Sequence, residues 1–286
     1  MELDPHRQFN FDNWEDRVAI HAASASYNLQ AYIDDRQLLS GVVSRDAPHL
    51  GRLDGLDVVH LQCHIGTDTI SLARLGARTT TGYDFSPSAL EVGRGLSERA
   101  GNPVTFVQGE LYQAEEVLGG ERFDLVYTGV GALNWLPNIS EWAIVVASLL
   151  RPGGRLYVRD GHPMLYTIDE NRDDDLLVVT YPYFETVEPL VVNEVGTYTD
   201  GDTSGMQNGT TAEWNHGIGE VVQAVLDAGL TLDGLAEHRE IEWNALPKHM
   251  ESMTPGQYLH TKDTCRMRDV PNHLPLMYTL QAHKAG

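Results

Sequence analysis

The amino-acid sequence predicts an α/β protein built on a doubly wound, mostly parallel sheet. From residue 57 onward, short apolar segments alternate with segments whose apolar residues recur at helical spacing. Strands that alternate with helices of about 10 to 15 residues are typical of parallel sheets with right-handed crossovers. Residues 165–213, which end in a Gly-rich stretch, interrupt the alternation, which then resumes near residue 214. The chain of 286 residues is long enough for one large domain with a lid.

The N-terminal helices and the first two strand–helix units come first. Residues 1–56 read as helices and loops, because "IHAASASYNLQAYI" and "LLSGVV" have helical spacing. "LDVVHLQC" is a buried strand, and "TDTISLARLGA" is the helix that follows it. "RTTTGYDF" is the second strand, and its helix begins at Ser86-Pro87 and ends before Gly101.

Three more strands and a long insertion follow. "PVTFVQGE", "RFDLVYTGVG" and "RLYVRDGHP" are strands, and "ISEWAIVVASLLRPGG" is a helix that ends at Pro152-Gly153-Gly154. Residues 165–213 read as an inserted β-rich flap. The alternation ends with the helix "NHGIGEVVQAVLDAGL" and the strands "LDGLAEHREIEW" and "HLPLMYTLQAHK". Residues 244–271 between these strands contain three prolines and are predicted to be irregular.

These segments divide the chain into four parts. We predict an N-terminal helical cap over residues 1–56 and a cofactor-binding α/β core over 57–164. An inserted flap over the active site spans 165–213, and the C-terminal part of the core spans 214–286.

Composition excludes several classes of partner. The formal net charge is −21, from 20 basic and 41 acidic residues, so the average field repels nucleic acid. No apolar run approaches the roughly 20 residues that span a bilayer. The N-terminus is acidic and lacks the pattern of a signal peptide, so we expect a cytoplasmic protein without a membrane partner. The two cysteines do not suggest a disulfide framework.

A candidate nucleoside loop follows the first strand. "QCHIGTD" directly precedes a helix, whose N-terminus attracts anions. Asp84 ends the second strand, where an acid can accept hydrogen bonds from ribose hydroxyls. The dinucleotide pattern G-x-G-x-x-G fails, because its glycine positions hold Gln62, His64 and Thr67. NAD and FAD are therefore disfavoured, and no P-loop sequence occurs.

Two stretches suggest a metal at first sight. His60, Cys63 and His64 are ligand types for zinc, but alternation along a strand sends His60 and Cys63 to opposite faces. "DGDTSG" resembles the start of a calcium loop, but its twelfth position is Thr211 rather than a bidentate glutamate. We therefore expect no bound metal.

The order of the motifs resembles that of the class I S-adenosylmethionine-dependent methyltransferases. "VVHLQCHIG", "TTTGYDFS", "VTFVQGEL", "FDLVYTGVGALNWLP" and "LLRPGGRLYV" are similar to the five motifs of that family, in its order and spacing. The resemblance covers residues 57–160 well and the tail moderately. It implies a Rossmann-like, seven-stranded sheet whose last strand is antiparallel, with S-adenosylmethionine as cofactor and S-adenosylhomocysteine as product.

The resemblance also implies the cofactor contacts. The residues expected to bind the cofactor are Gln62, His64, Gly66, Thr67, Asp84, Phe85, Ser86, Gly109, Glu110, Leu111, Thr128 and Gly129. Three positions depart from the family pattern. His60 replaces the usual acid of the first strand, and Gln62 and His64 replace two glycines. Larger side chains there narrow the floor of the cleft and restrict the backbone.

Candidate catalytic residues are few. Methyl transfer is a displacement in which alignment matters most, and a base is needed only for a protonated acceptor. His162 follows the fifth strand, His216 begins the helix after the flap, and Tyr27 lies among the N-terminal helices. We expect these three at the pocket. A large flap with several aromatic residues favours a small, enclosed acceptor.

We therefore expect a methyltransferase that moves a methyl group to O, N or C of a small molecule. Two alternatives remain open at this point. The chain could use S-adenosylmethionine for non-methylating chemistry, or it could be a non-catalytic nucleoside-binding or scaffold protein. A homodimer is compatible with the sequence.

Overall fold

The computed structural model describes residues 3–253 and 264–286. The strands of its central sheet are β1 (Asp57–Leu61), β2 (Thr79–Asp84), β3 (Thr105–Gln108), β4 (Phe123–Thr128), β5 (Leu150–Gly161), β8 (Leu230–His238) and β12 (Met277–Lys284). Shorter strands outside this sheet are β6 (Leu190–Asn193), β7 (Thr210–Glu213), β9 (Glu240–Ile241), β10 (Met250–Ser252) and β11 (Cys265–Met267). The helices are α1 (Pro5–Ala23), α2 (Leu29–Asp34), α3 (Gly41–Leu50), α4 (Thr67–Arg74), α5 (Pro87–Ala100), α6 (Ala114–Leu118), α7 (Ile139–Leu149) and α8 (Ile218–Asp227). Within the described ranges, no helix is long and apolar enough to cross a membrane.

The strand order in the sheet is β3-β2-β1-β4-β5-β12-β8. β1 pairs in parallel with β2 and β4, whereas β12 pairs in antiparallel orientation with β5 and β8. The order reverses between β1 and β4, and the crossovers on either side leave a crevice at the carboxyl ends of the strands. The predicted fold class, a doubly wound and mostly parallel seven-stranded sheet, is confirmed.

Apolar side chains hold the helices against the sheet. β1 and β4 are almost wholly buried, as their near-continuous apolar sequences predict. Trp142 and Val146 of α7 belong to the same buried cluster as Val59 and Val126 of these strands. Full burial of one such aliphatic side chain contributes about 1.5–3 kcal/mol, so this layer fixes the positions of the strand ends.

The N-terminal helices are shorter than the sequence suggests. Helical spacing extends through "IHAASASYNLQAYI", but the structure interrupts the helix between α1 and α2. In the interruption, the Asp200 carboxylate accepts hydrogen bonds from the backbone N–H groups of Ala25 and Ser26. Asn28 then adopts a left-handed conformation with φ +43°. The acceptor comes from 175 residues away in sequence, so local spacing cannot indicate this helix end.

Two predicted boundaries in the later part of the chain are wrong. β5 begins at Leu150, so Pro152-Gly153-Gly154 lies inside a strand rather than at a helix end. The prediction that residues 244–271 are irregular missed β10 and β11, which form a small sheet with β9. This sheet is stabilised by its own buried cluster, which includes Met250 and Met267. The predicted irregular stretch at 254–263 lies outside the described residues.

Residues 165–213 contain less β-structure than the sequence predicts. In this segment, all of which is described, β6 and β7 form a hairpin and one further bridge joins Ile168 to Val179. Leu176 and Val179 are 60% and 59% exposed. The apolar run that contains these two residues packs against no second layer of described strands, and residues 165–213 are largely irregular.

Polar side chains of α1 attach this helix to the insertion. The buried Asn10 donates to the carbonyl oxygen of Ala212 and accepts from its N–H, each at 2.8 Å. Asn13 donates to the carbonyl oxygen of Asn208, and the Asp16 carboxylate accepts from the N–H of Asn208. The Asn10 amide therefore pairs with β7 as a backbone group of a neighbouring strand would, and it attaches α1 to the β6–β7 hairpin.

The carboxylate of Asp160 fixes the loop after β4. Asp160 lies near the end of β5 and accepts hydrogen bonds from the backbone N–H groups of Gly131, Ala132 and Leu133 at 2.7–3.2 Å. It also accepts from the N–H of Gly161. One buried carboxylate thus satisfies backbone N–H donors of the loop after β4 and of the end of β5.

We expect Asn10→Ala to lower the free energy of unfolding by about 2–4 kcal/mol, because both backbone groups of Ala212 lose their buried partner. Urea unfolding at equilibrium measures the change. Gln8→Ala is the matched control, since Gln8 is exposed on the same helix. Equal stability of the two variants would contradict the attachment of α1 to β7.

We expect Asp160→Ala to lower the free energy of unfolding by about 3 kcal/mol or more, because several buried N–H groups lose their acceptor together. Asp233→Ala removes an exposed carboxylate that pairs with His283, and it should cost about 1 kcal/mol or less. Thermal and urea unfolding of both variants give the comparison. A cost for Asp160→Ala no larger than that of its control would rule out the bracing role.

Candidate functional site

A cavity lies between α1 and the carboxyl ends of β1–β4. The cavity has a volume of about 140 Å³, measured as the space open to the centre of a water molecule. Its lining comes from the loops after these strands, from α1, α3 and α4, and from Tyr198 of the insertion. The cavity includes the point where the strand order reverses, which is where doubly wound sheets bind ligands.

The loop after β1 keeps a left-handed backbone despite its side chains. Gln62, His64 and Gly66 have φ values of +56°, +48° and +79°. For a residue with a side chain, this conformation costs on the order of 1 kcal/mol. A Cβ on Gly66 would lie 2.6 Å from the Phe106 ring, so this position requires glycine. The loop therefore has the shape that glycines would allow, with an amide and an imidazole added to it.

The carboxylate of Asp84 holds this loop in place. Its Oδ2 accepts from the N–H of His64 at 2.8 Å, and its Oδ1 accepts from the N–H of Ser86 at 2.9 Å. Burial raises the pKa of the Asp84 carboxyl to about 6. Asp84 also lines the cavity, so the same group anchors the loop and offers its remaining lone pairs to a ligand.

The next strand end carries a second buried carboxylate. Glu110 pairs with Arg7 of α1 at 2.9 Å and accepts from the N–H of Tyr112. Burial raises the pKa of Glu110. The preceding residue, Gly109, has no room for a side chain, because a Cβ there would lie 2.1 Å from the Tyr83 hydroxyl. Arg7 thus attaches α1 to the cavity wall.

Aromatic side chains close the other side of the cavity. His64 Nε2 lies 2.8 Å from His21 Nδ1, and the Tyr27 hydroxyl lies 2.7 Å from the Tyr198 hydroxyl. The Trp14 ring packs edge-on against His64. Burial, with a smaller contribution from the Arg17 charge, lowers the pKa of His64 to about 3, so its ring is neutral near pH 7.

Most of the predicted cofactor residues come together here. Those that line the cavity are Gln62, His64, Thr67, Asp84, Phe85, Ser86, Gly109, Glu110, Leu111 and Gly129. Gly66 and Thr128 do not line it. Gly66 lies behind the loop against Phe106, and Thr128 is fully buried at the end of β4.

The predicted catalytic residues are placed differently from one another. Tyr27 lines the cavity. His162 lies outside this lining, with its Nε2 2.9 Å from Glu237 and its Nδ1 accepting from the N–H of Met164. His216 also lies outside it, with Nε2 within 3.0 Å of two backbone carbonyl oxygens and Nδ1 2.9 Å from Glu185. Both histidines hold elements together at these positions.

Several lining residues escaped the sequence analysis. Arg7, Trp14 and Tyr198 reach the cavity only because α1 and the insertion fold over it. Asp68 lies in the first turn of α4, where an acid is ordinarily explained by the helix dipole. The sequence could have indicated Asp68 as a lining residue, because it is part of "QCHIGTD", the stretch predicted to form the nucleoside loop.

The residues considered as metal ligands are hydrogen-bonded to other groups or are buried in the core. His60 Nδ1 lies 2.9 Å from the Thr69 hydroxyl, and Cys63 is a buried free thiol. Asp200 binds backbone N–H groups of the α1–α2 connection. Over residues 3–253 and 264–286, no three His, Cys, Asp or Glu side chains are grouped so as to hold a metal ion.

Known proteins resemble this chain in sequence. Residues 59–156 match the model of a methyltransferase domain. A ubiquinone biosynthesis O-methyltransferase from Methylobacterium sp. (strain 4-46) is 33% identical over 105 residues, or 37% of this chain and 41% of that protein. The protein of the same name from Proteus mirabilis (strain HI4320) is 34% identical over 144 residues, or 48% of this chain and 54% of that protein. The chain therefore spans about half the length of the curated relatives it matches.

A solved structure has the same fold over most of the chain. A candidate S-adenosylmethionine-dependent methyltransferase from Listeria monocytogenes superimposes with a TM-score of 0.58 at 16% identity. The alignment covers 86% of this chain and 99% of that chain, and it establishes a shared fold. The sequence match covers the loop after β1 and the strand ends that form the cavity. Residues 59–156 therefore resemble methyltransferase domains in sequence, and most of the chain shares the fold of a candidate S-adenosylmethionine-dependent methyltransferase.

Proposed function

We propose that this protein transfers a methyl group from S-adenosylmethionine to O, N or C of a small molecule by direct displacement. One observation carries the proposal. The buried carboxylate of Asp84 ends β2 and that of Glu110 follows the adjacent strand β3, and both line one cavity with the loop after β1. A nucleoside presents hydroxyl and amino donors, and two carboxylates side by side can accept from them.

The residues present fit that cofactor. Gln62 Oε1 is buried in the cavity lining and has no hydrogen-bond donor among the described residues. Its Nε2 donates to the carbonyl oxygen of Ala132, which fixes the direction of the amide. A buried acceptor without a donor costs about 1–3 kcal/mol, and a ligand with N–H or O–H groups removes that cost. Asp84 would hold the ribose and Glu110 the adenine edge.

The chain's own contribution is to orient the reactants and exclude water. The bound cofactor supplies an electrophilic methyl group on a sulfonium. α1 and the insertion cover the cavity through contacts such as Asn10 to Ala212 and Tyr27 to Tyr198. Burial raises the pKa of Tyr27 well above its usual value, so this hydroxyl stays protonated near pH 7. We therefore assign Tyr27 a positioning role as a hydrogen-bond donor rather than a base.

The covered cavity favours a small, flat acceptor. Trp14, Tyr27, Trp135 and Tyr198 line it, and such rings pack well against an aromatic molecule. The two curated relatives described above are named O-methyltransferases. Hydroxylated aromatic compounds are therefore the first acceptors to test. The strongly negative net charge argues against nucleic acid as the acceptor.

We expect titration calorimetry to detect binding of S-adenosylmethionine and S-adenosylhomocysteine at a Kd well below about 1 mM, which corresponds to roughly 4 kcal/mol. Turnover of an acceptor must release S-adenosylhomocysteine in equal amount to the methylated product. Binding without such release across a panel of phenols, amines and carbon acids would favour a non-methylating role. Absence of binding would overturn the proposal.

We expect Asp84→Ala to weaken S-adenosylhomocysteine binding by about 10-fold or more, because it removes both the ribose acceptor and the anchor of the loop. Glu98→Ala is the matched control, since it removes an exposed carboxylate from α5. Circular dichroism and thermal unfolding confirm that each variant folds. An affinity for Asp84→Ala equal to that of the control would contradict the site.

A further inference from the structure

Two acceptor oxygens of the cavity lining lack donors. Asp68 Oδ1 and Gln62 Oε1 are both buried, and neither receives a hydrogen bond from any residue that the structure describes. Both residues line the cavity. Buried polar atoms are nearly always hydrogen-bonded, so two such oxygens in one cavity indicate a ligand that brings donors.

Among residues 3–253 and 264–286, no cation is paired with the Asp68 carboxylate. A Cβ on Gly129 would lie 3.3 Å from His60 Nε2 and 3.8 Å from Asp68 Oδ2, so both side chains converge on the end of β4. His60 is bonded to Thr69, and burial lowers its pKa to about 3, so it carries no charge near pH 7. Within the described residues, Asp68 takes part in no ion pair.

The described lining of the cavity includes three acidic residues, Asp68, Asp84 and Glu110. Asp84 ends β2 and Glu110 follows β3, and the proposed function assigns these two to the nucleoside. Asp68 lies beyond the loop after β1, at the base of α4. The nucleoside leaves the methionyl part of the cofactor for this region. That part carries an α-ammonium, which offers three N–H donors and a positive charge.

We propose that the Asp68 carboxylate, together with the amide oxygen of Gln62, binds the α-ammonium of the methionyl group. This inference rests on the proposed function. The pair makes the cavity selective for nucleosides that carry an amino-acid tail.

Burial without a counter-charge is consistent with this assignment. It raises the pKa of Asp68 to about 6. A bound ammonium supplies the missing opposite charge and favours the ionised carboxylate. A charge-assisted hydrogen bond to such a group is stronger than a neutral one, so its loss is measurable as affinity.

The test compares three ligands on wild type and Asp68→Asn by titration calorimetry. S-adenosylhomocysteine carries the ammonium, S-adenosylmethionine carries the ammonium and the sulfonium, and 5′-methylthioadenosine carries neither. We expect Asp68→Asn to weaken both amino-acid ligands by about 10- to 100-fold. Binding of 5′-methylthioadenosine should change by less than about threefold, which also verifies that the variant is folded. Glu98→Gln, an exposed charge removal, should leave all three affinities unchanged.

A second variant examines the amide. Gln62→Met keeps the approximate length of the side chain and removes both its amide oxygen and the Nε2 donor to Ala132, and it should weaken S-adenosylhomocysteine binding by about 3- to 10-fold with 5′-methylthioadenosine little affected. Each other outcome has one meaning. Loss of S-adenosylmethionine affinity alone would assign Asp68 to the sulfonium and overturn the inference, as would equal loss for 5′-methylthioadenosine or no loss at all. Wild-type protein that binds none of the three ligands overturns the proposed function as well.

Discussion

Buried carboxylates at strand ends hold the whole carboxyl edge of this sheet together. Loops at that edge carry backbone N–H groups that no strand or helix can satisfy. Asp84 accepts from the loop after β1, and Asp160 accepts from the loop after β4. Glu110 accepts from its own loop and from Arg7 of the covering helix. The cavity exists because these acids fix the loops around it while the interior of the sheet stays apolar.

The same principle explains how an unusual loop keeps a familiar shape. Gln62 and His64 adopt left-handed conformations that glycine would adopt freely. The Asp84 carboxylate accepts a hydrogen bond from the His64 N–H. Gln62 donates a hydrogen bond to the carbonyl oxygen of Ala132, in the loop whose N–H groups bind Asp160. The left-handed backbone conformation costs on the order of 1 kcal/mol per residue, and these hydrogen bonds compensate that cost. The side chains gained in exchange put an amide and an imidazole into a region that glycines would leave bare.

The alternation of strand and helix patterns predicted the sheet and the residues at its carboxyl edge, because both depend on local apolar patterns and on strand order. Asp84 followed from that logic, whereas Glu110 was expected from the resemblance to the methyltransferase motifs. The contribution of α1 did not, since Arg7 and Trp14 reach the cavity through packing between distant segments. The end of α1 was likewise set by Asp200, far along the chain. His162 and His216 stand next to predicted strand and helix ends, but their hydrogen bonds direct them to other partners.

The attachment of α1 to the insertion has a kinetic consequence. Because Asn10 pairs with both backbone groups of Ala212, the helix and the hairpin cannot move apart without exposing buried donors and acceptors. We expect the two to move as one body when they uncover the cavity, with the Arg7 to Glu110 pair breaking at the same time. We expect exchange of ligand and loss of hydrogen-exchange protection in α1 to share one rate.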